Sequence, residues 1–323
     1  MSYSTPESSG NYYAMNTVMV ISVGANNAGI TSDALGAIFT HYSDLADNTI
    51  RYDGVVNVYD LNQTNEPLVV DQDLFDLLQF SENMKTETSG YFNILIGGLS
   101  DLWKKDLFNL DSTGASLSSS SEIYTPIIPS QGEIDAELAK MNASSLVFDS
   151  KNRSVQRLGE GKIDLGGVAK GYATAKAQAL LREGGVVNYW IDAGHSSVAL
   201  GESNAADGSF NVHYNDLGSS VYTKIKDCAV GTSSYFEQHA TVNGQLYSHI
   251  VNPLTGSALV NWYGASIVGP DAGILDVLST TFVLMGPGEQ SDALIAKYGL
   301  QALFYKNGVD TLVNKGMTLY HGS

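Results

Sequence analysis

Ile163-Asp164-Leu165-Gly166-Gly167-Val168-Ala169-Lys170-Gly171-Tyr172-Ala173 is the stretch that decides how this chain is read. It has the form of a strand end, a glycine pair, and a helix that runs to about Arg182 and stops at Gly184-Gly185. Glycines where a strand hands over to a helix let the backbone approach a ligand closely. The free N–H groups of the new helix then favour negative charge, typically phosphate. Asp164 and Lys170 add one charge of each sign. A tight turn with a solvated Asp and Lys accounts for the same residues, so the rest of the chain must choose between the two readings.

Working outward, Thr17–Val23 reads as a buried strand and residues 32–42 as a short amphipathic helix capped by Ser32. Residues 71–87 form a second helix with Leu74, Leu77, Leu78 and Met84 on one face. The Ser- and Pro-rich stretch 112–130 reads as a surface loop, 133–141 as a helix, and 145–157 as a hairpin turning at residues 149–152. Past the central run, 186–191 is a strand entering Asp192-Ala193-Gly194-His195, and 209–242 an antiparallel meander. Asp271 caps a helix that reaches Met285 and ends at Gly286-Pro287. There is no internal repeat.

The chain has 323 residues, 33 of them glycine, and a formal net charge of −17 from 17 basic and 34 acidic side chains. That balance argues against nucleic acid and anionic membrane surfaces as partners. An anionic ligand would need local help from helix termini or a metal ion. One cysteine, Cys228, excludes an internal disulfide and a cysteine-cluster metal site, and its apolar neighbours suit a buried small side chain. No stretch has the length and apolarity of a membrane helix, and the first residues lack the regions of a signal peptide. Residues 1–11 read as a flexible opening and 12–323 as one domain.

Asp276 and Thr280 stand one helical turn apart and share a face, with Ser279 beside them and Ile274, Leu278, Phe282 and Met285 opposite. A carboxylate beside a hydroxyl is hard-oxygen ligation of the kind Mg²⁺ uses. A helix carboxylate next to a threonine bonding back to its own helix is the competing reading. His249 precedes a tight turn at 252–256 and is either a base for an incoming hydroxyl or a neutral structural histidine. Trp103 suits stacking on a flat ring and core packing about equally.

The run Asp-Leu-Gly-Gly-x-Ala-Lys-Gly-Tyr-Ala closely resembles the signature of the FAD:protein FMN transferases, the ApbE-type flavin transferases. Further resemblances follow in the family's order: Ala14-Met15-Asn16-Thr17, Leu61-Asn62, Gly90-Tyr91-Phe92-Asn93 with Leu102-Trp103, the stretch from Ser248 to Gly256, and Leu275-Asp276-Val277-Leu278-Ser279-Thr280-Thr281. The resemblance implies an α+β, T-fold-like, two-lobed architecture with mixed or antiparallel sheets, flanking helices and a ligand cleft between the lobes. It implies an Mg²⁺-dependent enzyme that moves FMN from FAD to a Ser or Thr hydroxyl of an acceptor protein through a phosphodiester, releasing AMP. An FAD pyrophosphatase yielding FMN and AMP, or a non-catalytic flavin-binding protein, are the alternatives.

Carried over residue by residue, the resemblance makes His249 the catalytic base. It makes Met15, Asn62, Trp103, Lys104, Asp164, Lys170 and Ile250 contacts of FAD, and gives the metal Asp276, Thr280 and the carbonyl of Gly167. The polar opening residues look like the linker behind a lipid-modified cysteine, which implies an extracytoplasmic, membrane-associated lipoprotein; a cytoplasmic start is the alternative. Four places depart from the family pattern. Asn93 and Asn252 replace aspartates, Ser234 replaces a glycine after Thr232-Ser233, and the stretch from Asp192 to Ser196 replaces Asn-x-Gly-Gly-Asp. Asn caps turns as Asp does, so the His195-Ser196 change is the more serious one.

Overall fold

The computed structural model describes residues 7–26, 28–117, 124–214, 217, 220–306 and 311–322. The chain opens with β1 (Ser8–Ala14), β2 (Thr17–Val23) and α1 (Ser32–Ala46). Then come α2 (Val58–Gln63), β3 (Leu68–Val69), α3 (Gln72–Glu87), α4 (Gly97–Phe108) and α5 (Gln131–Asn142). The hairpin β4 (Ser145–Asp149) and β5 (Ser154–Leu158) leads to α6 (Ala169–Glu183). β6 (Tyr189–Ala193), β7 (Ser197–Leu200), β8 (Phe210–His213), β9 (Val221–Ile225), β10 (Cys228–Ser234), β11 (His239–Val242) and β12 (Gln245–Ser248) follow. The chain ends with β13 (Gly264–Gly269), α7 (Ala272–Met285), α8 (Glu289–Tyr298), β14 (Gln301–Lys306), β15 (Thr311–Lys315) and β16 (Tyr320–His321).

These elements form two compact units, one made of Met1–Ser43, Val168–Ser234 and Trp262–Ser323, the other of Asp44–Gly167 and Tyr235–Asn261. The first is built on an eight-stranded antiparallel sheet in the order β1-β2-β6-β7-β10-β13-β14-β15. Strand alternation sends Met19, Ile21 and Val23 of β2 to one face, opposite Ala193, Ile191 and Tyr189 of β6, and all six are buried. α6 and α7 pack against that face. On the other face Leu200, Val230, Val268, Leu303 and Tyr305 meet Val221 and Ile225 of the small sheet β16-β9-β8. The α+β class with antiparallel sheets is therefore as the sequence implies.

The second unit holds α2 to α5, the sheet β3-β5-β4 and the hairpin β11-β12. Its helix starts are local chemistry. Asn57 with Asp60 and Ser130 with Glu133 make capping boxes, and Asp71 caps α3. Leu74, Leu77, Leu78 and Met84 are buried along α3, as the periodicity requires. Arg157 of β5 is a buried cation with carbonyls for partners. Its guanidinium donates to the oxygens of Leu61 (3.1 Å), Asn62 (3.2 Å), Thr64 (3.4 Å), Gly159 (2.5 Å) and Gly161 (3.3 Å). Burial pushes this guanidinium down from its ordinary range. The fork ties the end of α2 to the chain leading into the Ile163 run.

Several expectations need correction. Residues 8–11, expected in the flexible opening, are half of β1; residues 1–6 lie outside the described residues. Ser32 lies inside α1 with its hydroxyl 2.9 Å from the Tyr12 hydroxyl, which also faces Asp33 Oδ1 at 2.7 Å, while Thr31 Oγ1 receives the Ala34 N–H. The 209–242 meander breaks up: β8 and β9 pair, β10 enters the large sheet, and β11 pairs with β12. β10 is buried on both sides through Ala229, Val230 and Gly231, which a strand covered by helices on one face and a second sheet on the other requires and a surface meander does not. Ile163 is not in a ladder strand; its neighbours Lys162 and Asp164 bridge to Ile96 and Ile94. Residues 118–123 of the Ser-rich loop lie outside the described residues.

The carbonyl cradle of Arg157 is testable. Arg157→Lys keeps the charge but loses the fork, and lowers unfolding free energy by about 2–3 kcal/mol in urea titrations. A midpoint equal to that of the parent chain would show that the fork holds nothing.

Candidate active site

In the first unit the chemistry gathers around α7. Asp271 starts this helix by accepting the N–H groups of Gly273 (2.8 Å) and Ile274 (3.2 Å). Asp276, one turn in, is only 4% exposed, and its Oδ2 accepts the Gly171 N–H from the first turn of α6 at 2.8 Å. A carboxylate at a helix N-terminus is favoured by the dipole and by an amide with no partner in its own helix. Val168, in the cap position of α6, has no side-chain acceptor of its own. The contact is possible because residue 171 is glycine: a Cβ there would run into the Asp276 Cβ and the Ala272 carbonyl. On the other side of α7, a Cβ at Gly231 would meet the Leu275 carbonyl at 2.6 Å.

Thr280 lies on the Asp276 face, as the spacing predicts. Ser233 of β10 joins it, with Oγ 2.9 Å from Thr280 Oγ1 and 2.8 Å from Ser279 Oγ, and Ser279 donates to the Asp276 carbonyl at 3.0 Å. Asp276 and Ser279 on this face are buried and Thr280 is half-buried. With Oδ2 bonded to Gly171, Oδ1 of Asp276 and the Thr280 hydroxyl form a hard-oxygen pair that fits Mg²⁺. Lys170 is half-buried in the first turn of α6. Met15 sits in the two-residue β1–β2 turn with φ 49°, followed by Asn16 at 59°, and donates its N–H to Ser43 Oγ at 3.0 Å. Asn suits that left-handed turn and Met does not, at a cost on the order of 1 kcal/mol.

In the second unit Ile163 and Leu165 are buried and alternate with Asp164 and Gly166. Asn62 grips Ile163 twice, Nδ2 donating to its carbonyl at 2.9 Å and Oδ1 accepting its N–H at 2.8 Å. Asn62 therefore positions the signature run through its amide. Asp164 Oδ1 accepts the Gly166 N–H at 2.8 Å. At Gly167 a Cβ would find only Phe92, at an ordinary 3.7 Å, and no left-handed φ calls for glycine. The fold leaves that position open for an approaching ligand.

His249 Nδ1 lies 3.2 Å from the Gln238 carbonyl and Nε2 3.8 Å from the Glu237 carboxylate. A carbonyl only accepts, so Nδ1 carries the proton and Nε2 is the basic atom of the neutral ring. Ile250 is buried and donates its N–H to Ser248 Oγ at 3.1 Å. The turn after it forms as expected, Asn252 Oδ1 accepting the Leu254 N–H at 2.9 Å. Of the two readings of Trp103, packing is what the structure shows: the side chain is 2% exposed, stacks on Tyr247 at 5.6 Å and donates to the Gly256 carbonyl at 2.7 Å. Lys104, next on α4, is half-buried. Cys228 is half-buried and burial pushes its thiol up, away from reactivity.

The sequence reading passed over Arg157, Ser233 and the packing role of Gly171. Ser233 had a signal in Thr232-Ser233, whereas Arg157 had none, because its partners are backbone carbonyls, three of them more than ninety residues away.

The family model described as the ApbE family matches residues 15–304. The chain is 26% identical over 288 residues to the FAD:protein FMN transferase of Treponema pallidum, covering 84% of this chain and 76% of that one. It is 24% identical over 262 residues to the FAD:protein FMN transferase of Escherichia coli K12, covering 78% and 70%. Among solved structures it superposes on the ApbE protein of Thermotoga maritima with a TM-score of 0.74 at 24% identity, covering 100% and 97%. The flavin transferase ApbE of Vibrio cholerae gives 0.70 at 20% identity, covering 98% and 96%.

Two glycine substitutions separate packing from ligand access. Gly171→Ala wedges α6 from α7 and destabilises by about 1–3 kcal/mol. Gly167→Ala leaves the unfolding midpoint unchanged. Equal losses in thermal or urea unfolding would show that both glycines serve the fold.

Proposed function

Because the chain belongs to the ApbE family, we propose that it is an Mg²⁺-dependent FAD:protein FMN transferase acting on a Ser or Thr hydroxyl of an acceptor protein. The observation that carries this is the buried Asp276 carboxylate, held at the N-terminus of α6 beside the hydroxyls of Thr280 and Ser233. The curated relatives named FAD:protein FMN transferase give the reaction class. When bound, Mg²⁺ supplies charge neutralisation on the pyrophosphate and a fixed orientation for in-line attack. Asp276 Oδ1 and Thr280 Oγ1 are the atoms of the first unit that would hold it.

The first turn of α6 and Lys170 offer positive partial and full charge to the pyrophosphate in a chain that is otherwise strongly acidic. His249 Nε2 takes the proton of the acceptor hydroxyl, and the imidazolium so formed has the Gln238 carbonyl on Nδ1 and the Glu237 carboxylate near Nε2. The acceptor oxygen forms a bond to the FMN phosphorus as the bond from that phosphorus to the bridging oxygen breaks. AMP leaves with the bridging oxygen, and FMN stays on the acceptor through a phosphodiester. No helix among the described residues is long and apolar enough to cross a membrane.

Intact-mass measurement of an acceptor domain incubated with this protein, FAD and Mg²⁺ tests the reading. The expected product is the acceptor plus one FMN less one water. Free FMN and AMP beside an unmodified acceptor would make the protein an FAD pyrophosphatase instead. His249→Ala binds FAD like the parent chain and loses kcat by about 10²-fold or more. Equal losses in binding and rate would remove the base assignment.

A further inference from the structure

The large sheet has a second face, turned away from α6 and α7, and part of that face lies under an open cavity. Strand register sets Ser9, Ser22, Trp190 and Leu200 side by side across β1, β2, β6 and β7. Asn11 and Val20 stand in the next row of the same face. Both rows floor a cavity of about 760 Å³, with Phe210 and Val212 of β8 in its wall. That size suits a small-molecule ligand. α6 and α7 pack on the opposite face, that of Met19 and Ile21, so the sheet itself separates this cavity from the Asp276–Thr280 pair.

Ser22 is the residue that asks for a ligand. It is only 8% exposed, yet its hydroxyl has no partner among the described residues and opens into the cavity. A hydroxyl taken out of water without a partner costs stability, so its place in the floor calls for an explanation. Trp190, directly opposite on β6, is half-buried, and its indole N–H also has no partner among the described residues. The floor thus grades from hydroxyls on β1 and β2 to an indole and a leucine on β6 and β7.

Charge narrows the choice of ligand. Among the described residues that line the cavity only Glu202 is ionised, and Lys226 Nζ answers it at 2.9 Å. No lysine or arginine stands in the lining, and the chain carries a net charge of −17, so an anion such as a nucleotide has nothing to hold it there. A cation would find the one carboxylate already paired. The ligand is therefore uncharged. A wholly apolar one would leave Ser22 unpaired, and a wholly polar one would leave the indole uncovered. A sugar ring meets both demands, with hydroxyls along its edge and C–H groups on its face.

We infer that this cavity binds an uncharged saccharide ring, laid on Trp190 with one hydroxyl bonded to Ser22 Oγ. The binding is non-covalent. It does not rest on the FMN-transfer reading, which concerns the other face of the sheet.

Saturation-transfer NMR on the full chain tests this with methyl glucoside, methyl galactoside, N-acetylglucosamine and maltose. Glucuronate and glucosamine serve as charged counterparts. The expected result is transfer to the ring C–H protons of at least one neutral sugar, and weaker binding of the charged ones. Ser22→Ala should weaken that sugar about threefold to tenfold, the scale of one hydrogen bond, while the unfolding midpoint holds or rises. Trp190→Phe keeps an aromatic ring for the fold and should also weaken it. FAD with Mg²⁺ should leave the bound sugar in place. No transfer to any neutral sugar overturns the inference. So does affinity unchanged in both variants, which puts the sugar elsewhere, and so does displacement by FAD, which puts it in the nucleotide's place. Failure of the parent chain to bind FAD would end the transferase reading and leave this inference standing.

Discussion

The bond from the Gly171 amide to the Asp276 carboxylate is the constraint on which the rest of the first unit depends. A carboxylate that is 4% exposed would be strongly disfavoured without compensation. The uncompensated N–H of a helix start provides it, and at the same time α6 gains an acceptor that Val168 does not supply. Both groups need each other, which locks α6 against α7. Glycine at 171 on one side and at 231 on the other lets α7 sink between α6 and β10 until backbone touches side chain. The polar stripe of α7 is thereby held in a dry, rigid setting. Its Thr280 hydroxyl and second carboxylate oxygen are fixed before any ligand arrives, which is the preorganisation that charge stabilisation requires.

The second unit solves a different problem, that of holding an extended run with no ladder of its own. Arg157 gathers carbonyls from the end of α2 and from residues 159 and 161, and Asn62 then pairs with Ile163 as a strand neighbour would. Asp164 and the two glycines are presented by this scaffold without being part of it. Gly167 can therefore serve a ligand, because packing makes no demand on it.

Much of this was legible in the sequence wherever the signal was local. Periodicity gave α3 and its buried face, and cap chemistry gave the start of α7 at Asp271 and its stop at Gly286. The 252–256 turn followed from Asn, Pro and Gly at fixed offsets. Strand partners were less legible: residues 209–242 show alternation but carry no mark of which edge each strand will meet, and β8 to β11 went to three sheets. In the site, Asp276 and Thr280 were readable because helical spacing alone puts them together. The partners that hold Trp103 and Asn62, Gly256 and Ile163, were not legible, because they lie far away in the chain. Gly171 packs α6 against α7, and no local signal marks that role, because its neighbours Ala272 and Asp276 lie about a hundred residues on.

The central claim is that the Asp276 carboxylate binds the divalent ion that accompanies FAD. Manganese(II) uptake followed by electron paramagnetic resonance, with FAD present, addresses it most directly, comparing the parent chain with Asp276→Asn. Asparagine keeps the shape and an oxygen for the Gly171 amide, so the unfolding midpoint should hold. The account predicts that the parent chain takes up the ion and that Asp276→Asn leaves it free in solution. Uptake by Asp276→Asn with the affinity of the parent chain would contradict it.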